Sequence, residues 1–407
     1  MKSKIKIVSI ILFLSVSILL VLFSEQKTEW KGKIEYENGI KVIKNPQEAL
    51  YGKIEFELEE DLRIGREDDD NYMFYRNVRI AVDSDDNIFV VDGVNYRIQK
   101  FDRNGDYLQT IGREGQGPGE FERLNKIHLD SDDNIYVQDG RKMHIFNKNG
   151  KLMNTIKISR SMGEFGITKE GSILATNIHQ ERSSDIPSNF EIILNVELID
   201  SNGEKIKTIA SFHQKESPPI KKGIGQIYFN TRHEPNLFLC SLNEELAIYG
   251  YSSEYKLFAI DSSGDIAYII KKEEPPQLVK KKDKDEVIDR FMEMQERQDM
   301  VPKLSRSEVI KGFKFPKYQP FFTRILNDDR DRIYVTRFRL SYEREKSVSF
   351  DLFNKEGYYL YEVIVPSFFP FIIKKGYVYK SEYDQETGYY KVKRYKIKNW
   401  DQIKEGI

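Results

Sequence analysis

Two stretches of this sequence repeat each other almost residue for residue. Residues 79–93 (RIAVDSDDNIFVVDG) align with residues 126–140 (KIHLDSDDNIYVQDG) at an offset of 47. Residues 98–105 (IQKFDRNG) align with residues 143–150 (MHIFNKNG) at an offset of 45. In both copies apolar and polar residues alternate, as in half-buried strands, and Asp-Asp-Asn, Asp-Gly and Asn-Gly turns separate the strands. Four short antiparallel strands that recur about every 40–50 residues predict the blade of a β-propeller.

The same turn signals continue along the rest of the chain with less regular spacing. They recur at 199–203 (IDSNG), 260–264 (IDSSG), 329–335 (DRDRIYV) and 352–357 (LFNKEG). A last pair of strand-like segments lies between residues 376 and 397. Six such units predict an all-β chain, a six-bladed β-propeller of four-stranded antiparallel blades that spans 53–399.

The ends of the propeller are predicted from the segment that precedes the first blade. Lys53–Leu58 (KIEFEL) alternates strictly between polar and apolar residues. We therefore expect it to pair with the last blade and close the ring. Residues 25–52 are then a linker, whose removal up to residue 45 should do no harm, and residues 400–407 are a C-terminal tail.

One segment, 272–316, interrupts the strand pattern and predicts a short helical insert. Asp283–Glu286 has the spacing of a capping box that opens a helix. Ser305–Glu308 has the same spacing at the start of a second, shorter helix that ends at Gly312. These helices either shield a rim of the propeller or form a lid or partner surface.

The first 24 residues predict export from the cytoplasm. Three lysines lie within the first six residues, and Ile7–Phe23 is a run of 17 residues without a charge. This pattern is typical of a signal peptide or an N-terminal membrane anchor helix, with the rest of the chain outside. No Ala-x-Ala site follows, and the bulky Leu22 lies three positions before the best cleavage point. Residues 1–24 are therefore a signal peptide or an anchor, and we predict an extracytoplasmic protein, anchored to the cytoplasmic membrane or secreted to the periplasm or cell surface.

The composition excludes several classes of partner. Lys plus Arg number 64 and Asp plus Glu 65, so the formal net charge is −1. Such a chain has no overall field that would draw it to a polyanion, and we predict no nucleic-acid partner. The single cysteine, Cys240, excludes an intrachain disulfide and thiolate metal clusters.

Three sequence features resemble those of a known repeat family. Residues 95–102 (NYRIQKFD), residues 111–121 (IGREGQGPGEF) and the paired Asp-Asp-Asn-Ile-aromatic-Val turns resemble NHL repeats. More narrowly, the sequence is similar to NHL-repeat-like six-bladed propeller proteins of the bacterial cell envelope. The resemblance implies a binding scaffold in most relatives, and enzymes such as peptide-amidating lyases and lactonases in a minority. A fold alone does not choose between these functions.

Two pairs of charged residues are the candidate ligand-binding groups. Asp92 with Arg97, and Asp139 with Arg141, lie where one predicted strand ends and the next begins. Each pair is either an inter-strand ion pair or a set of polar groups that line the central mouth of the propeller. The sequence does not decide between these alternatives.

The five histidines are scattered along the chain, with no His-x-x-x-His pair that would mark a local metal site. A zinc site would need ligands that converge on the propeller axis from different blades. His128 and His233 are weak candidates for such a role. His128 and His144 are predicted on different strands of one blade, so at most one of them should face the axis. We predict no metal, no cofactor and no catalytic residue.

These observations favour a non-catalytic binding scaffold over an enzyme. We expect a protein, peptide or glycan ligand on one face of the ring, and membrane contact through the N-terminal helix. The alternative is a metal-dependent lyase or hydrolase, amidating-lyase-like or lactonase-like, with its ion in the axial channel.

Overall fold

The structure of the protein, a computed structural model, describes most of the chain after residue 28. The described residues are 29–76, 78–159, 162–182, 190–215, 219–222, 225–229, 231, 233–297, 303–339, 347–366 and 371–407. Within these ranges no helix combines the length and the apolar character needed to cross a bilayer. The predicted signal peptide or anchor, residues 1–24, lies outside the described residues and stays a prediction.

The strands form six blades, each built from four antiparallel strands. Four strands precede the first complete blade: β1 (Lys33–Glu37), β2 (Ile40–Asn45), β3 (Lys53–Glu55) and β4 (Leu58–Ile64). The first blade contains β5 (Val78–Val82), β6 (Ile88–Asp92), β7 (Arg97–Phe101) and β8 (Tyr107–Ile111). The second contains β9 (Leu124–Leu129), β10 (Ile135–Asp139), β11 (Lys142–Phe146) and β12 (Leu152–Lys157). The third contains β13 (Phe165–Ile167), β14 (Ile173–Arg182), β15 (Phe190–Ile199) and β16 (Lys205–Lys215).

A short hairpin, β17 (Ile220–Lys222) and β18 (Gly225–Ile227), links the third blade to the fourth. The fourth blade contains β19 (Leu237–Ser241), β20 (Leu246–Tyr251), β21 (Lys256–Asp261) and β22 (Ile266–Lys272). The fifth contains β23 (Phe322–Asn327), β24 (Ile333–Arg337), β25 (Val348–Phe353) and β26 (Tyr359–Val365). The sixth contains β27 (Phe371–Lys374), β28 (Tyr377–Tyr383), β29 (Tyr390–Ile397) and, as its outermost strand, β4.

The ring is closed around an axis formed by the first strand of each blade. These innermost strands are β5, β9, β13, β19, β23 and β27, and β27 contacts β5. The prediction of an all-β, six-bladed propeller with four-stranded blades is confirmed. We call the face at which the innermost strands begin the insert face, and the face at which they end the far face.

The hydrophobic core lies between neighbouring blades. Between the first and second blades, for example, Phe89, Val91, Phe121 and Val137 are fully buried in one cluster. The second strand of the first blade, β6, is buried along its whole length, whereas the outer strand β8 is only partly buried. This difference explains the continuous apolar run IFVV in β6, because a strand covered on both faces needs apolar residues at every position.

Side-chain-capped turns join the first and second strands, as the repeated acidic segments predict. Asp83 Oδ1 accepts hydrogen bonds from the backbone N–H groups of Asp85 at 3.0 Å and Asn87 at 2.7 Å. Asp130 does the same in the second blade. The Asn-Gly turns also have the predicted backbone, with φ of 87° at Gly105 and 76° at Gly150.

The prediction for the strand that closes the ring was wrong by a few residues. β3 pairs in parallel with β26 of the fifth blade, and it is β4 that pairs with β29 of the sixth. Phe56 lies at the crossing and packs against Tyr334 and Trp400. An apolar residue in an alternating segment marks a buried side chain, but it does not identify the blade that buries it.

The predicted linker 25–52 and the predicted tail 400–407 both pack against the ring. β1 and β2 form a hairpin, and β2 pairs in parallel with β22, which extends the fourth blade to six strands. Asn45 then joins two blades, because its amide donates to Gly357 O at 2.9 Å and accepts from Tyr359 N at 2.8 Å. In the tail, a 3-10 helix (Trp400–Gln402) buries Trp400.

Two helices lie inside the predicted insert 272–316: α1 (Lys281–Arg297) and α2 (Arg306–Gly312). Ser305 and Glu308 form the predicted capping box of α2. The predicted start of α1 was three residues late, since Asp283 lies in its first turn and accepts from Lys280 N at 2.8 Å. Both helices pack with Phe229 in a small apolar cluster on the insert face.

Candidate functional site

The axial channel opens into a vestibule on each face of the ring. The insert-face vestibule has a volume of about 420 Å³ and the far vestibule about 530 Å³. The narrow part that both vestibules share is mainly apolar. Its side chains include Ile80, His128, Phe165, Leu326 and Ile372. An apolar channel wall offers few ligands to a metal ion.

The histidines do not assemble a metal site. His128 faces the channel beside Phe165, and its burial lowers its pKa to about 4, so the imidazole is neutral at pH 7. His144 lies between blades, hydrogen-bonded to Thr155 at 2.9 Å. His233 lies under the insert and away from the channel lining. Among the described residues no three His, Cys, Asp or Glu side chains are grouped so that they could hold an ion.

Asp92 and Arg97 are paired across β6 and β7, at 3.4 Å. Arg97 also donates to the backbone oxygens of Asp70 at 2.7 Å and Met73 at 3.0 Å, and Asn95 donates to Asp92 at 2.7 Å. Burial raises the pKa of Asp92. The pair therefore holds the segment between β4 and β5 in place on the insert face, and a role in ligand binding stays a prediction.

Asp139 and Arg141 are not arranged like Asp92 and Arg97. Asp139 accepts from the backbone N–H groups of Glu122 at 3.0 Å and Arg123, and its carboxylate lies 3.6 Å from His144 Nε2. Burial alone would raise the pKa of Asp139, but the nearby His144 and the backbone N–H donors bring it below its usual value. Asp139 therefore holds the backbone of Glu122 and Arg123 in place. Arg141, in contrast, is exposed to solvent.

A second cavity, which the sequence did not predict, lies between the insert and the blades. This insert pocket has a volume of about 270 Å³ and lies where β23 begins and β24 ends. Its apolar walls consist of Tyr255, Pro275, Leu278, Pro320, Phe321 and Phe338. Its charged lining consists of Glu274, Lys280, Asp283, Arg337 and Arg339. Aromatic walls with a few charged groups are typical of a binding site.

A buried carboxylate fixes the floor of the insert pocket. Asp351 is fully buried, and its Oδ1 accepts from Arg337 at 2.8 and 2.6 Å and from Tyr359 at 2.7 Å. Its Oδ2 accepts from Tyr255 at 2.5 Å. Burial and the neighbouring carboxylate raise the pKa values of both tyrosines well above 10, so both hydroxyls remain protonated donors. Arg337 is thus held with part of its guanidinium at the pocket.

A buried lysine completes this network. The side chain of Lys272 is fully inaccessible and lies between the rings of Tyr255 and Tyr359, at 5.0 and 5.2 Å from their centroids. Glu274 contacts its ammonium, and Asp351 lies 3.7 Å away. The aromatic faces and the two carboxylates offset the cost of removing this charge from water.

The rim of the insert pocket is cationic. Arg339 donates to the hydroxyl of Ser349, and no carboxylate of the described chain lies within ion-pair distance of its guanidinium. Lys280 is exposed at the opposite edge. As far as the described residues extend, these two groups have donors available to an anion, whereas Arg337 is already engaged by Asp351.

A chain of buried polar side chains attaches the insert to the ring beside this pocket. His233 Nδ1 lies 2.6 Å from Gln319 Oε1, and Gln319 Nε2 donates to Asp283 at 3.0 Å. Because the amide oxygen accepts, His233 carries its proton on Nδ1. Asp283 in turn holds the first turn of α1, so this connection determines how the insert lies over the pocket.

One signal in the sequence could have indicated this site. Asp351 interrupts the buried strand VSFDLF, in which its neighbours Phe350 and Leu352 are fully buried. A carboxylate at such a position needs partners of opposite charge, and thus predicts a buried polar network.

One family model and several solved structures are similar to this chain. A family model described as a 6-bladed beta-propeller, DUF5128, matches residues 69–361. Among solved structures, a protein from Bacteroides fragilis has 13% identity and a TM-score of 0.49, with 88% of this chain and 99% of that chain covered. A member of the DUF4221 family from Bacteroides vulgatus has 15% identity and a TM-score of 0.46, with 84% and 98% covered. Virginiamycin B lyase from Staphylococcus aureus has 9% identity and a TM-score of 0.38, with 84% and 99% covered. No curated protein matches the sequence.

Proposed function

The chain belongs to the six-bladed β-propeller family DUF5128, and we propose that it is a non-catalytic binding protein that holds a peptide segment in the insert pocket. The observation that carries this proposal is the combination of aromatic walls with a cationic rim at the junction of insert and ring. An apolar side chain fits the walls, and a nearby negative group fits the rim.

The chemistry of the pocket favours binding over catalysis. Asp351 accepts hydrogen bonds on both oxygens, and Glu274 contacts Lys272. The two tyrosines have raised pKa values and act only as donors. A general base must accept a proton near neutral pH, and these engaged groups are poorly suited to that task. The lyase or hydrolase alternative has less support, since the narrow part of the axial channel is mainly apolar.

We also propose that the propeller lies outside the cytoplasmic membrane. When the outer layers of the cells are removed and the cytoplasmic membrane is left intact, we expect added protease to digest the propeller. We also expect the protein to sediment with membranes and to resist carbonate extraction. Leu14→Arg, which puts a charge into the apolar run, should leave the chain inside and protected. A soluble form that begins near Glu25 would contradict the anchor, and full protection of the unmodified chain would contradict export.

The binding proposal is tested by panning an unbiased peptide library on the purified full chain. We expect clones whose affinity falls at least about tenfold in Leu278→Trp, because the larger side chain fills the pocket from its exposed edge. Leu108→Trp is the matched control, since Leu108 is similarly exposed on an outer strand of the first blade.

Both tryptophan variants should keep the melting temperature of the unmodified protein. If no clone depends on Leu278, or if both variants weaken binding equally, the insert pocket is not the binding site.

A further inference from the structure

We propose that the ligand of the insert pocket is an extended acidic peptide that continues from the pocket into the insert-face vestibule of the channel. This inference rests on the proposed function and adds the chemical class of the ligand. Three observations carry it: the distribution of charge, the short distance between the two cavities, and the availability of cationic donors.

The charges of the channel are separated between the two faces. The insert-face vestibule is lined by Arg79, Lys126 and Arg324, with Glu164 as its one carboxylate. Apart from Glu164, which lines both vestibules, the described lining of the far vestibule contains five carboxylates and one cation, Lys374. His128 is neutral at pH 7 and alters neither balance. A protein with a net charge of −1 thus concentrates positive charge on the face that carries the insert pocket.

The pocket and the vestibule are adjacent on one strand. Phe321, immediately before β23, lines the pocket, and Thr323, near the start of β23, lines the vestibule. Two residues of a strand span about 7 Å. A ligand of a few residues in extended conformation therefore reaches from one cavity into the other.

Basic side chains in both the insert pocket and the insert-face vestibule have N–H groups that a ligand carboxylate can contact. Arg79 is exposed, and within the described residues its guanidinium donates to the backbone oxygen of Val78 at 3.3 Å. Within the described residues, the guanidinium of Arg339 donates to Ser349. Lys126 pairs with Glu164 at 3.3 Å, but this pair is partly exposed, so a ligand carboxylate can replace Glu164 at little cost.

An acidic peptide fits these features better than an acidic polysaccharide. A peptide carries an apolar side chain for the aromatic walls as well as carboxylates spaced by about 7 Å on one side of an extended backbone. A polysaccharide provides the charges without a side chain to fill the pocket. The area that would be buried is small, so we expect micromolar affinity.

The test uses isothermal titration calorimetry of the full chain with a hexapeptide of phenylalanine followed by alternating glutamate and glycine. A twin peptide with glutamine in place of glutamate removes only the charge. We expect the glutamate peptide to bind at least about tenfold more tightly at low salt, and the difference to shrink as salt screens the charges. Arg339→Gln and Arg79→Gln should each weaken its binding about threefold to tenfold and leave the glutamine twin nearly unchanged.

The matched control is Arg103→Gln, an exposed arginine in the turn between β7 and β8 on the far face. It should not change binding. Equal affinity for the two peptides, or clones from the unbiased library that depend on Leu278 but carry no acidic residues, would overturn the acidic class while the binding function stands. Polygalacturonate that binds more tightly than the peptide and ignores Leu278→Trp would overturn the peptide assignment in favour of a polysaccharide.

Discussion

A chain that begins at Gly65 should fail to form a cooperatively folded propeller. This truncation removes β4, the only strand from the N-terminal side that pairs with the sixth blade in the described structure. It also removes Phe56 and the hairpin on the fourth blade, and leaves β29 as an exposed edge. Because closure of the ring depends on this segment, we expect the loss of most of the free energy of unfolding, which is about 5–15 kcal/mol for a typical protein.

A milder truncation provides the comparison. A chain that begins at Glu48 loses only β1 and β2, including the fully buried Val42 and Ile43. We expect it to stay folded but to lose about 3–6 kcal/mol of stability, the contribution that burying two such side chains makes. Thermal unfolding followed by circular dichroism, with size-exclusion chromatography, measures both effects. If the two chains melt alike, or the chain from Gly65 melts like the full chain, β4 does not close the ring.

How much the sequence predicts depends on how local the signal is. The first two blades follow from turns and alternation within about 47 residues, and the capping box at Ser305 from four residues. The blade strands with which β2, β3 and β4 pair lie more than 200 residues away. Alternation shows that these segments are half-buried strands, but the choice of blade depends on tertiary packing around Phe56 and Asn45.

The candidate site was predicted less well for the same reason. Asp92 and Arg97 are five residues apart and face each other in one hairpin, where sequence spacing is informative. The insert pocket joins Tyr255, Phe321 and Arg337 from two blades with the insert. Its lining residues belong to the units in which the sequence repeat is weakest. A pocket between blades joins residues that are far apart in the sequence, so no regular sequence spacing indicates it.

Asp351→Ala should be the most destabilising single substitution near this pocket. The substitution removes a carboxylate that lies 2.6 Å from Arg337 and 3.7 Å from the inaccessible Lys272. It also removes the hydrogen-bond acceptor of Tyr255 and Tyr359. Breaking a buried ion pair from one side costs about 3–5 kcal/mol, because a charge remains buried without its partner. Urea unfolding followed by circular dichroism measures this loss.

Three control variants separate the charge from the packing. Glu362→Gln removes a partly exposed carboxylate 3.5 Å from Arg337 and should cost less than about 1 kcal/mol. Tyr359→Phe removes one donor to Asp351 and should cost about 1 kcal/mol. The double variant Asp351→Leu with Arg337→Met should be more stable than Asp351→Ala, since it removes both charges and keeps apolar volume. A loss below 1 kcal/mol for Asp351→Ala, or a double variant with the summed cost of both single changes, would mean that the network does not hold the pocket floor in place.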